Sequence, residues 1–179
     1  MQGWLGPALV AALVSGLITA LGWFVSYVLG TRLETRRRQE RVTDVQTALA
    51  AEIRSFFARS QHVDIREHGK RMETWILAEG QQNTPFVPQE PDFLVFRSIA
   101  PEIHILPKPV IDPVVLFYTQ AATLALFASD LRSERYLSLD PASKNEMYQD
   151  YLGLMNYAFQ LADYALKALQ ESLEDERID

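Results

Sequence analysis

The feature that most constrains this chain lies at its start: no Asp, Glu, Lys or Arg occurs before Arg32. Within that stretch Pro7 to Leu29 reads PALVAALVSGLITALGWFVSYVL, 23 residues without a charge. At about 1.5 Å of rise per residue the run spans roughly 34 Å, enough for a hydrocarbon core of ~30 Å with some tilt. Trp4 lies at one edge, and Trp23 and Tyr27 lie toward the other. Aromatic rings settle at headgroup level, so this spacing predicts a transmembrane helix with two interfacial belts. A cleaved signal peptide is the competing reading. It fits poorly: there is no Lys or Arg ahead of the run, the run is too long, and no A-x-A site precedes a polar start.

The flanks predict the orientation. Arg32, Arg36, Arg37, Arg38 and Arg41 follow the run closely. Basic residues near the end of a span stay on the cytosolic side, so the N-terminus is expected outside and the rest of the chain inside. The same arginines can pair with anionic headgroups, each contributing about 1 kcal/mol near the surface. Membrane lipid is therefore the first expected partner.

The run also carries a pattern that a plain anchor does not need. Ala8, Ala12, Ser15, Thr19, Gly22 and Ser26 are spaced 4-3-4-3-4, and Ala8, Ala12, Gly16 and Ala20 form a second line at four-residue spacing. On a helix these make a seam of small side chains. Such seams let a second helix approach closely, where packing and interhelical hydrogen bonds supply the attraction. Small residues are common in this stretch, so chance is the alternative. The expected partner is another transmembrane helix, from a second copy or a larger membrane complex.

Length and charge bound the remainder. A chain of 179 residues suffices for one domain plus an appendage. Its net charge of −6 is uneven: through Glu79 there are ten basic and eight acidic residues, and from Gly80 onward seven and fifteen. An acidic domain repels phosphate backbones, which argues against nucleic acid as a partner. With no cysteine, a disulfide framework and a thiolate metal site are excluded.

Residues 32–78 read as a stalk that joins a bundle. Val42, Val45, Leu49, Ile53, Phe56 and Val63 keep near-helical spacing, and Gly69 is the candidate break. Residues 79–111 form a Pro-rich loop containing a short apolar segment, Phe93 to Ala100, for which helix is preferred over strand. Residues 112–179 read as two long helices and a charged tail. Asp112-Pro113 and Asp140-Pro141 each predict an N-cap followed by Pro at the first helical position. The first of these helices should run to about Glu134 and, being apolar on nearly every face, sit at the centre of the bundle. A second membrane segment over 113–131 is the rival reading, against which Asp112, Asp130 and Gln120 argue. In the last helix Tyr148, Leu152, Met155, Phe159, Ala162, Leu166, Leu169 and Leu173 define a wide apolar face.

Reactive chemistry is not visible. The sequence contains no phosphate-binding glycine motif, no H-E-x-x-H and no G-x-S-x-G. His62 and His68 are spaced for different helix faces, and Asp64 and His68 suit a surface hydrogen bond. Tyr148, Tyr151, Tyr157 and Tyr164 suit a core edge with hydroxyls toward water. Glu171, Glu174, Asp175 and Glu176 lack the glycine and spacing of a calcium loop. No catalytic, cofactor or metal site is expected.

Three short motifs carry a resemblance. They are Ala51-Glu52-Ile53, Ile103-His104-Ile105-Leu106-Pro107 and Phe117-Tyr118, the last two within FRSIAPEIHILPKPVIDPVVLFY from Phe96 to Tyr118. This pattern resembles that of bacterial and prophage inner-membrane proteins of uncharacterised function, and covers about two thirds of the chain. The resemblance implies a layout and no activity: an all-α chain with one N-terminal transmembrane helix, a stalk helix, and a cytosolic three- to four-helix bundle on the inner membrane. The expected function is that of a non-enzymatic, membrane-anchored accessory or scaffold protein. A prophage or stress-associated effector acting by assembly in the bilayer is the alternative, and a membrane-tethered enzyme is third.

Overall fold

The computed structural model describes residues 5–58, 64–78, 83–89 and 92–175, and every regular element among them is helical. Trp4, His62, Val63 and Glu176 lie outside the described residues. The chain divides into two units, Met1–Thr43 and Asp44–Asp179. Helix α1 (Leu5–Ala58) contributes residues to both.

In the first unit α1 carries the uncharged run. Pro7 falls in the first turn, where its missing N–H has no intrahelical partner to lose. Three threonine hydroxyls along this helix are served by its own backbone. Thr19 donates to the Ser15 carbonyl at 2.8 Å, Thr31 to Tyr27 and Val28 at 3.0 Å, and Thr35 to Thr31 at 2.9 Å.

The second unit begins where α1 acquires a buried face: Gln46, Leu49, Ala50, Ile53 and Phe56 recur at helical spacing. Helix α2 (Ile65–Ile76) follows, then α3 (Leu94–Ile99), a 3-10 segment (Ala100–Ile105), α4 (Lys108–Asp130), a single turn α5 (Glu134–Leu137) and α6 (Pro141–Asp175). The pairing of α4 with α6 is the most extensive. Buried Ala121 and Ala128 on one and Ala158, Ala162 and Ala165 on the other leave room for close backbone approach, and Gln120 Nε2 reaches the Leu154 carbonyl at 3.2 Å. Phe56 anchors α1 to this pair, with its ring 5.3 Å from Phe117 and 5.6 Å from Phe159.

Several boundaries differ from expectation. The stalk is two helices and not one: α1 ends at Ala58, and α2 starts behind Asp64, whose carboxylate accepts from the backbone N–H groups of Arg66 and Glu67. Gly69 does not break a helix. It sits buried inside α2, where an added Cβ would lie 3.1 Å from Leu152 Cδ1 and 3.2 Å from Gln149 Oε1. Its missing side chain is what brings α2 onto α6.

Asp112 is not an N-cap. Helix α4 starts at Lys108, with Pro107 as its cap residue and Pro109 in the first turn, so Asp112 and Pro113 are inside it. Pro109 meets the first-turn preference that the sequence reading assigned to Pro113. Pro113 forgoes one backbone bond near the helix start, and its ring is buried. Asp140 does cap: its carboxylate accepts from Ser143 N at 3.0 Å and Ser143 Oγ at 2.7 Å, and α6 begins at Pro141. Helix α4 also ends at Asp130, short of Glu134, because Ser133 caps the separate turn α5 by accepting from Tyr136 N. Finally, α4 is not enclosed on all sides. Val110, Val114, Phe117, Ala121, Leu124 and Ala128 are buried, while Val115, Leu116 and Leu126 are exposed. The helix lies at the edge of the core with one apolar face outward.

Candidate interaction surfaces

On the first unit, pitch places Ala12, Ser15, Thr19, Gly22 and Ser26 within an arc of about 80°, and Gly16 about 40° beyond it. Ala12, Ser15, Gly16, Thr19, Gly22 and Ser26 are all exposed, and an added Cβ at Gly16 or Gly22 would meet nothing within 4 Å. Ala8 is helical, and its side chain lies outside the described set. Leu17, Leu21 and Phe24 fall on the far side by the same pitch. One face of the helix is thus thin and the other bulky. Trp23 is 79% exposed, Tyr27 is exposed, and so are Arg32, Arg36, Arg37, Arg38 and Arg41. Two helices are long and apolar enough to cross a membrane, one in α1 and one being α4. None of the apolar window in α1 is buried, against 39% of that in α4.

The second unit holds a node that the sequence reading did not assemble. The Glu52 carboxylate accepts from Val95 N at 2.8 Å, Phe96 N at 3.1 Å and the Tyr118 hydroxyl at 2.8 Å. Phe93, the residue ahead of α3, offers no side-chain cap. Glu52 does that work from another helix, since a carboxylate suits the unpaired N–H groups and positive end of a helix start. Phe96 stacks on Tyr118 with ring centroids 3.9 Å apart and planes at 9°. Burial raises the Tyr118 phenol far above the ordinary tyrosine range, and the bond to the Glu52 carboxylate adds to the shift. Residues from separate short motifs, Ala51-Glu52-Ile53 and Phe117-Tyr118, therefore meet at one place. The polar residue flanked by apolar ones in the stalk was the available signal.

Phe93, Phe96 and Tyr118 also wall an open groove of about 720 Å³ floored by Ala121, Ala122 and Ala125. Arg97, ion-paired with Asp92, stands at its rim.

The imidazole reading changes as well. His68 does not use Asp64 as a side-chain partner; its Nε2 lies 3.0 Å from the Tyr148 hydroxyl, linking α2 to α6. Tyr148 and Tyr151 are buried, whereas Tyr157 and Tyr164 are exposed, so only the latter pair matches the core-edge expectation. Tyr136 is buried too and donates to the Lys144 carbonyl at 3.1 Å. Burial, followed by the neighbouring Tyr148, pushes its phenol up to about 12. Lys144 is itself buried, with its Nζ 3.4 Å from Thr84 Oγ1. His104 is exposed in the 3-10 segment. Among the described residues no group of three or more His, Asp or Glu is placed to hold a metal ion.

The chain matches no family model, no curated protein and no solved structure.

Proposed function

We propose that this chain is a membrane-anchored accessory or scaffold protein. Residues 7–29 form its single span, the N-terminus lies outside, and the helical unit from Asp44 onward is cytosolic. The observation that carries this reading is the apolar window of α1, none of which is buried by the rest of the chain. Leucine, tryptophan and phenylalanine side chains left outside a core call for lipid or a partner. The five arginines after the run support the orientation. The thin face through Ala12, Ser15, Thr19, Gly22 and Ser26 supports helix–helix packing within the bilayer, where close backbone contact drives association. The helices of the second unit then present surfaces to cytosolic partners.

The test compares Gly22→Leu with Leu17→Ile in the full chain. Gly22→Leu fills the thin face and is expected to abolish co-purification of membrane partners from native membranes. Leu17→Ile changes the bulky face and is expected to leave it intact. Equal recovery from both would reduce the span to an anchor. A reporter active only in the cytosol, fused after Asp179, should be active; a silent one would reverse the orientation. Vesicle leakage caused by the purified chain would favour the alternative of an effector that assembles in the bilayer.

A further inference from the structure

Residues 83–89 form an irregular strap across the second unit, pinned to it at three points. Asn83 Nδ2 donates to the Trp75 carbonyl at 2.6 Å, Lys144 Nζ to Thr84 Oγ1 at 3.4 Å, and Arg132 Nη1 to the Pro88 carbonyl at 2.8 Å. Pro85 and Val87 are buried, and the residue between them turns outward. Phe86 is 88% exposed, more than any other large apolar side chain among the described residues. Burying its ring would be favourable, and a pinned strap has already lost much of the freedom that binding would otherwise cost.

The groove walled by Phe93, Phe96 and Tyr118 opens beside this strap: Gln89, three residues after Phe86, lines it. Its aromatic walls suit edge-to-face packing with a further ring. Phe86 does not line the groove of its own chain, and the burial of Val87 and the bond from Arg132 to Pro88 keep it facing out.

We propose that Phe86 seats in the groove of a second copy of this chain, and that the second copy's Phe86 seats in the first, as a twofold pair. Both halves of the contact belong to this chain and lie side by side, as a closed, self-complementary pair requires. A foreign partner would have to bring both a ring for the groove and a pocket for Phe86; a second copy brings both. A lipid surface is the poorer fit for Phe86. From Gly80 onward the chain has seven basic and fifteen acidic residues, and anionic headgroups repel that excess. The contact lies wholly within the second unit and does not depend on how the span associates. Two seated rings make a small interface of the transient class, so trapping is the way to detect it.

The chain has no native cysteine, which makes single-cysteine variants clean reporters. Phe86 and Ala122, on the groove floor, are both exposed, so replacing either removes no core packing. Full-length Phe86→Cys and Ala122→Cys chains are purified, mixed in detergent and mildly oxidised. Both also carry Gly22→Leu, so that the span contributes no pairing. In the mixed pair, the Phe86 left on the Ala122→Cys chain seats in the intact groove and the two cysteines come together. A species of twice the chain mass should form in the mixture, and far less of it in either chain alone. Adding Phe86→Ala to the Ala122→Cys chain removes the last ring and should lower the yield about tenfold. Unchanged circular dichroism confines the comparison to folded chains. No cross-link in the mixture, equal cross-linking in the single-chain controls, or indifference to Phe86→Ala would overturn the proposal.

Discussion

Two stretches of this chain are equally candidates for a membrane by length and apolar content, and the structure treats them differently. None of the window in α1 is buried, while that in α4 is 39% buried and packs against α6. On α4 the buried residues follow the three-and-four spacing of one face, from Val110 through Val114, Phe117, Ala121 and Leu124 to Ala128. On α1 the same spacing is occupied by small residues that bury nothing within the chain. Hydropathy measures how much apolar surface a helix has. Whether that surface is covered depends on what packs against each face: α6 meets the face of α4 that carries Ala121 and Ala128, while the described seam residues of α1 stay exposed.

The sharpest way to break this comparison is on α4. Phe117 is fully buried and touches Phe56, Phe93 and Tyr118, so Phe117→Ala should cost about 3–5 kcal/mol of stability. Denaturant unfolding of the full chain in detergent would measure it, and a loss below about 1 kcal/mol would mean that α4 is not a core helix.

A charge placed on each helix sharpens the contrast. Leu17→Lys in α1 should impair membrane insertion by about 3 kcal/mol. Leu126→Lys, at a position 72% exposed on α4, should change stability by no more than about 0.5 kcal/mol and leave localisation intact. Loss of membrane-inserted protein with Leu126→Lys would revive α4 as a second span.

The Glu52 node gives a smaller effect. Glu52→Ala removes the acceptor for three donors and should cost about 2 kcal/mol. Hydrogen exchange should accelerate at the Val95 and Phe96 amides and not along α6. Uniform acceleration would indicate global destabilisation in place of a local role.

The smallest effect is at Asp140. Its hydrogen bonds to Ser143 hold its carboxyl below the usual carboxylate range. A depressed folded-state value contributes stability above the unfolded value of about 3.9, and that contribution is lost as pH falls below it. Asp140→Asn keeps an N-cap and removes the titration, so the variant's stability should fall less steeply than wild type below about pH 4. Parallel pH profiles would exclude this role.

Much of the helical content was legible because helices are written locally. Asp140-Pro141 begins α6, and the short apolar segment at Phe93–Ala100 is helical, as read. What was not legible depends on distant residues. Gly69 looks like a break until Leu152 and Gln149 are brought against it. The competition among Pro107, Pro109 and Pro113 for the start of α4 has no local winner, and the burial of Pro113 belongs to the packed state. Phe117 and Leu116 are adjacent and both apolar, yet one is buried and the other exposed; composition cannot say which face a neighbour will take. The helical spacing of Ala12, Ser15, Thr19, Gly22 and Ser26 could be read in advance because it is a property of one helix.

The carboxylate of Glu52 also bears on the order in which this chain assembles. A helix of six residues is far below the length at which a helix sustains itself, so α3 cannot precede its cap. That cap arrives from 43 residues away along the chain. Closing so long a loop is entropically unfavourable until α1 and α4 already stand close enough for Glu52 to reach Tyr118. Helix α3 therefore forms late in folding, and the groove it walls belongs only to the finished chain. A nascent chain, still held on the ribosome before Tyr118 emerges, therefore has no groove, because one of its walls is not yet made.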